Sequence, residues 1–151
     1  MRDRFLVVIG CQREKLDQIG RGNKRKLLDY VQSSSHTYTG VISILRKKME
    51  GDDNFRRARD LVATDTVDYL EYQSDNVLLV PGYDVDVTVF RKDAHYDIVG
   101  ISTAASVMCT ALSMYSQGLE ISILKDYCFD RKGLDKEAHK IFKTYMPGVL
   151  V

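Results

Sequence analysis

The sequence predicts an α/β domain of three layers, α/β/α, with a mostly parallel central sheet, and three observations carry that prediction. Continuous apolar, β-branched runs such as Phe5 to Ile9 suit strands covered on both faces, as in parallel sheets flanked by helices. Stretches of helical spacing alternate with those runs. Ile98, Val99 and Ile101 then lead into a turn rich in Gly, Ser, Thr and Ala, after which Val107, Ala111, Met114 and Tyr115 fall at helical spacing. Such a strand–turn–helix sets Ser106 in the first turn of a helix, where backbone N–H groups and the helix dipole favour an anion.

The first strand, Phe5 to Ile9, ends at Gly10-Cys11-Gln12. In open α/β sheets ligands sit outside the carboxyl ends of the strands, so these three residues lie near any site. Arg13 to Asn23, with Gly20 and Gly22, reads as a polar loop, and Lys24 to Gln32 as an amphipathic helix with Leu27, Leu28 and Val31 on one face. Ser33 to Thr37 breaks that helix, and Thr39 to Leu45 reads as the second strand. Arg46 to Arg59 is charged around the turn Gly51-Asp52-Asp53-Asn54, and Leu61 to Tyr72 has no clean period. Val77 to Val80, stopped by Pro81-Gly82, reads as a third strand or extended segment. Val85, Val87 and Val89 alternate as in a strand at a place where a crossover helix is the commoner solution, and both assignments stay open. Leu119 to Leu124 is a further strand after the Gly118 helix stop. Asp135 to Tyr145 is the last helix, with Ala138, Ile141, Phe142 and Tyr145 on one face and Pro147-Gly148 beyond it.

At 151 residues the chain suits one domain spanning 1–151, which at this size buries about 70% of the surface its extended chain exposes. With 44% hydrophobic and 28% charged residues and a net charge of +1, the composition is that of a soluble globular protein. No apolar run approaches the roughly 20 residues that span a bilayer, and the start is too short for a signal peptide, so a cytoplasmic protein with no membrane partner is expected. Cys11, Cys109 and Cys128 have no C-x-x-C spacing and leave an odd one over, which predicts free thiols rather than disulfides or a zinc site. Of these, Cys109 reads as a small buried hydrophobe, and Cys11 as the thiol with more claim to reactivity. His36, His95 and His139 are scattered and read as surface or helix-end residues. Arg21, Lys24, Arg25 and Lys26, with Arg46 to Lys48 and Arg56, Arg57 and Arg59, are the material of a nucleic-acid footprint. Asp52, Asp53, Asp60 and Asp65 interleave with them, so a mixed solvated face is predicted and nucleic acid is not expected as a partner.

Four segments together carry a family resemblance: Leu6-Val-Val-Ile-Gly-Cys-Gln12, Gly100-Ile-Ser-Thr-Ala-Ala-Ser-Val107 with Thr110-Ala111, Gly118-Leu-Glu-Ile-Ser-Ile-Leu-Lys-Asp126, and Lys136-Glu-Ala-His139. In this order the chain resembles the isochorismatase-like cysteine hydrolases, the group that includes nicotinamidases. The resemblance implies a catalytic Asp at the end of the first strand, followed by an apolar residue and Gln; Gln12 fits, but Gly10 stands at the Asp position. It implies a catalytic Lys before a Pro-Gly-Tyr-like segment; Val80 stands there, and no Lys lies between Lys48 and Lys92. It implies a nucleophilic Cys where Ser106 stands, with Cys109 one helical turn further on. A thiol needs a neighbouring base or cation to become thiolate, and a Ser hydroxyl needs one more. Isochorismatases of the family do without the Cys and rely on the Asp, so the loss of Asp and Lys weighs more than Ser106 itself.

Metal-dependent members carry Asp and His after the second strand; here no His lies between Arg46 and Phe55, and Asp52 and Asp53 suit a solvated turn, so no metal or other cofactor is expected. The resemblance further implies that Phe5–Ile9 and Asp97–Ile101 lie side by side, that a cis peptide falls near Ile101-Ser102, that His139 is structural, and that the chain forms a homo-oligomer or binds a protein partner. The small-molecule ligand is not identified. The functional expectation is a hydrolase-fold protein with a degenerate triad and a binding or assembly role, with no residue assigned as catalytic. Two alternatives remain open: an active hydrolase of an amide or related bond using Ser106 or a nearby thiol, and a basic-surface nucleic-acid-binding module.

Overall fold

Five parallel strands form one sheet in the order β3-β2-β1-β4-β5. They are β1 (Asp3–Ile9), β2 (Gly40–Arg46), β3 (Asn76–Val80), β4 (Ala94–Ile101) and β5 (Glu120–Phe129). The computed structural model describes residues 2–46, 76–80 and 85–151. β1 lies at the centre, with Val7 opposite Ile42 on one side and Ile98 on the other, so the two apolar runs are adjacent as expected and neither is an edge strand. Their uninterrupted hydrophobicity follows from cover on both faces. Leu6 and Val8 join Leu27 and Val31 of the helix α2 (Arg21–Ser34) in one core. Val7 and Ile9 face a second core with Ala111 and Met114 of α3 (Met108–Ser116) and Ala138 and Phe142 of α4 (Asp135–Tyr145).

The structure departs from the sequence reading in several places. Arg13 to Asn23 is not simply a loop: it holds the short helix α1 (Arg13–Asp17), and α2 begins already at Arg21. Five residues with one buried apolar side chain, Leu16, are too few to show a helical period. The stretch 85–89 is neither strand nor crossover helix; Val87–Val89 form a 3-10 turn in which the Asp86 carboxylate accepts from the Thr88 N–H at 3.1 Å and from its hydroxyl at 2.6 Å. β5 continues to Phe129, well past Leu124, because its register against β4 shifts between Ile98 and Gly100 and the apolar alternation breaks there. Beyond α4 the chain end returns to this strand, with Ile123 donating to Val149 O at 2.8 Å and Val151 to Ile123 O at 2.9 Å. The turn 51–54, the stretch 61–72 and Pro81-Gly82 lie outside the described residues. Among the described residues, no helix is long and apolar enough to cross a membrane.

A buried carboxylate interrupts the apolar run of β4. The Asp97 side chain is only 6% exposed and gathers Arg4 Nη2 at 2.8 Å, the Tyr38 hydroxyl at 2.6 Å and His95 Nε2 at 3.3 Å. His95 is therefore not the surface residue its spacing suggested; it also meets Ser122 Oγ at 3.0 Å. Tyr38 passes the network on to the Tyr30 hydroxyl at 2.8 Å, and Tyr30 stacks on Tyr127. A buried carboxylate is tolerable only when paired and hydrogen-bonded, and here it is both.

Candidate functional site

The carboxyl ends of β1 and β4 meet at two glycines, and this contact shapes everything around Ser106. Gly100 has φ +138°, and a Cβ there would run into the Ile9 carbonyl oxygen and lie 2.8 Å from both Ile9 C and Ile9 N. Gly10 has φ +67°, and a Cβ there would collide with the Ile101 carbonyl oxygen and touch Lys15 Cδ at 3.4 Å. Both positions thus need glycine for conformation and for space. The peptide Ile101-Ser102 is cis, at the place the family resemblance implies. The chain then makes one π-helical turn over Thr103–Val107 and runs into α3, with Ser106 in that turn and 8% exposed.

The donors of this turn are largely committed. Ala105 N and Val107 N both donate to Ser102 O at 3.1 Å, and Ala104 N donates to Asp130 Oδ1 at 2.9 Å. The expectation of N–H groups open to an anion is corrected at these three positions by bonds within the protein. Asp130 and Asp135 are anions of the turn rather than bases aimed at Ser106. Asp130 Oδ2 accepts from Lys132 N at 2.9 Å and Leu134 N at 3.1 Å, and Asp135 accepts from the Thr103 hydroxyl at 2.6 Å and from Asp130 N at 3.3 Å. They lock the β5–α4 connection onto the turn. Ser106 Oγ forms no hydrogen bond among the described residues.

Of the positions singled out in the sequence, the structure brings Gly10, Cys11, Gln12 and Ser106 to the carboxyl ends of β1 and β4. Val80 closes β3, two strands away from β1, partly buried against the core on the α3 side. Gln12 is buried and precedes α1. Cys109, expected inside, is exposed, because the π-helical turn rotates the start of α3 and leaves Val107, Thr110 and Ala111 facing inward. Cys11 is buried; burial pushes its thiol up to about 12 although the nearby Lys15 charge pulls the other way. Cys128 is likewise pushed up to about 12 by burial. His139 lies on α4 with Nε2 buried and without a hydrogen bond among the described residues. Asp52 and Asp53 lie outside the described residues, and among those described no group of three His, Cys, Asp or Glu side chains could hold a metal ion.

Two side chains of this region carry no sequence signal. Lys15 on α1 is only 9% exposed, with its stem against Gly10. Arg131, after β5, donates from Nε to Ser102 Oγ at 3.1 Å and from Nη1 to Gln18 Oε1 at 3.2 Å.

The thiols give a direct check. Under native conditions near pH 8, iodoacetamide followed by peptide mass spectrometry should label Cys109 and spare Cys11 and Cys128 until the protein is unfolded. Both buried thiols have folded pKa values above the ordinary 9.0. The stability they contribute is therefore complete below about pH 9 and is lost as pH rises toward about 12. A denaturation midpoint that rises over that range would contradict this.

No family model and no curated protein matches the chain by sequence. Solved structures do match in fold. A pyrazinamidase/nicotinamidase from Streptococcus mutans superposes with a TM-score of 0.70 at 12% identity, covering 98% of this chain and 99% of that one. An isochorismatase-like hydrolase from Alkaliphilus metalliredigens gives 0.69 at 14% identity, covering 95% and 92%. A MAR1 ribonuclease from Caenorhabditis elegans gives 0.70 at 13% identity, covering 99% and 76%. With its all-parallel sheet of order β3-β2-β1-β4-β5 and helices on both faces, the chain has the isochorismatase-like α/β fold.

Proposed function

We propose that this chain is an isochorismatase-like hydrolase-fold protein that has lost hydrolytic activity and serves a binding role. The observation that supports this reading is the closeness of Ile101 to the acid position: a Cβ at Gly10 would collide with the Ile101 carbonyl oxygen, so this backbone has no room for an Asp where the resemblance implies the catalytic one. Ser106 Oγ is left without a base in hydrogen-bond reach among the described residues, and a hydroxyl without one is a poor nucleophile. The buried Cys11 thiol, held up to about 12, is no substitute. Incubation with an activated ester such as p-nitrophenyl acetate, followed by intact-mass analysis, should show no acyl adduct on Ser106. A stoichiometric adduct there would favour the active-hydrolase alternative.

The basic-surface alternative has one observation in its favour. The first turn of α2 carries no acidic residue, although its positive dipole end would welcome one, and Arg21, Lys24, Arg25 and Lys26 crowd that end. Lys24 is already paired with Asp17 at 3.0 Å and Lys26 sits over Tyr127. Single-stranded RNA binding that falls steeply with added salt would support this alternative, and flat salt dependence would remove it.

A further inference from the structure

We propose that the cleft between the turn 85–89 and the last turn of α3 binds a small primary amine, its ammonium held by Asp86 and its apolar arm laid on Val85, Val87 and Leu112. The cleft measures about 400 Å³, within the size range of small-molecule sites. It lies at the other end of α3 from Ser106, so it stands whatever becomes of the hydrolase chemistry there. Its floor is apolar and firmly seated. Val85 is buried in the core on the α3 side, and Val87 and Leu112 pack partly buried against that same core. The core therefore fixes the shape of the floor, and an alkyl or aryl arm laid there would cover apolar surface that water now touches.

The rim is acidic and holds no cation of its own. Asp86 takes both Thr88 bonds on Oδ1, and these bonds, from the hydroxyl and then the N–H, hold its carboxyl below the usual carboxylate range. Among the described residues its Oδ2 accepts nothing and Asp86 makes no ion pair. Across the cleft stand Ser113, Ser116 and Gln117, in the last turn and C-cap of α3, where the helix dipole is negative. The side-chain oxygens of these three take part in no hydrogen bond among the described residues. Basic side chains favour that end of a helix, yet the last turn of α3 has none, and no Lys, Arg or His among the described residues lines the cleft. A primary ammonium brings three donors and no acceptor, which suits a carboxylate oxygen with hydroxyl and amide oxygens beside it. A quaternary ammonium has no N–H to give, and an anion would meet both Asp86 and the negative helix end.

The test titrates phenethylamine, an ammonium at neutral pH, into isotope-labelled protein and follows the backbone amide resonances, with phenethyl alcohol as the neutral isostere and phenylacetate as the anion. Saturable shifts at Val87, Thr88, Ser113 and Gln117 are expected for the amine, with an affinity about tenfold or more above that of the alcohol, the scale of one charge-assisted contact. Asp86→Asn should weaken the amine about tenfold while keeping the turn, because the amide oxygen can still accept from Thr88. Ser116→Lys sets a cation in the last turn and should weaken the amine to a similar degree with the circular-dichroism spectrum unchanged. Ser116→Lys decides alone if Asp86→Asn disturbs the turn, since position 116 is an exposed helical one. No saturable shift with the amine, shifts confined to other parts of the fold, equal affinity for amine and alcohol, phenylacetate bound as tightly as the amine, or amine affinity untouched by either folded variant would overturn the proposal.

Discussion

Gly100→Ala is expected to cost about 2–6 kcal/mol of folding stability, enough to leave much of a marginal domain unfolded. Two effects add. At φ +138° an L side chain is strained by about 1–3 kcal/mol. The new Cβ also has no room, since it meets the backbone of Ile9 in the neighbouring central strand, and overpacking of a rigid contact costs about 1–3 kcal/mol more. Neither partner is the far end of a flexible side chain, so relief requires β1 and β4 to separate. Urea denaturation of the purified variant measures this. A loss under about 1 kcal/mol would mean that the two strands do not approach as described. Gly10→Asp should show the same sign of effect for the same reason.

The second large effect is at Asp97. Asp97→Ala removes the shared acceptor of Arg4, Tyr38 and His95, and breaking a buried charged cluster by deleting one member typically costs about 3–5 kcal/mol. The lower end, about 3 kcal/mol, is expected, because the Arg4 side chain is half-exposed and can turn to water. Tyr38→Phe removes one hydroxyl and should cost about half as much or less, the scale of a hydrogen bond to a charged group. The double variant should then lose less than the sum of the two, since both act on one network. Additive losses in a double-mutant cycle would show that Tyr38 and Asp97 do not communicate, contrary to their 2.6 Å contact.

What could be read in the sequence follows from how each element is held. β1 and β4 were legible because burial on both faces writes an unbroken apolar run. α2 and α4 were legible through Leu27 and Val31, and through Ala138 and Phe142, which recur on the buried face. The second half of β5 was not, since Lys125 and Asp126, adjacent and both exposed beside the register shift, break a strand's alternation. α1 is too short to show a period, and with it Lys15 was missed. Gly10 was visible as a turn residue at the end of β1, but its positive φ and the close approach of the Ile101 carbonyl arise only from strand order. His95 and Asp97 could have been found by a simple signal: two titratable residues inside an otherwise buried strand, which must be paired with something. The partners, Arg4 and Tyr38, lie far away in sequence and come together only through strand order.

The most direct test of the central claim is turnover itself. Wild type and Ser106→Ala should be assayed at high enzyme concentration against nicotinamide and small ester surrogates, over hours, with product followed by chromatography. No turnover above the uncatalysed rate is expected in either protein, with both equally folded by circular dichroism. Turnover by the wild type that disappears in Ser106→Ala would contradict it and establish a serine hydrolase whose proton-handling groups lie elsewhere in the chain.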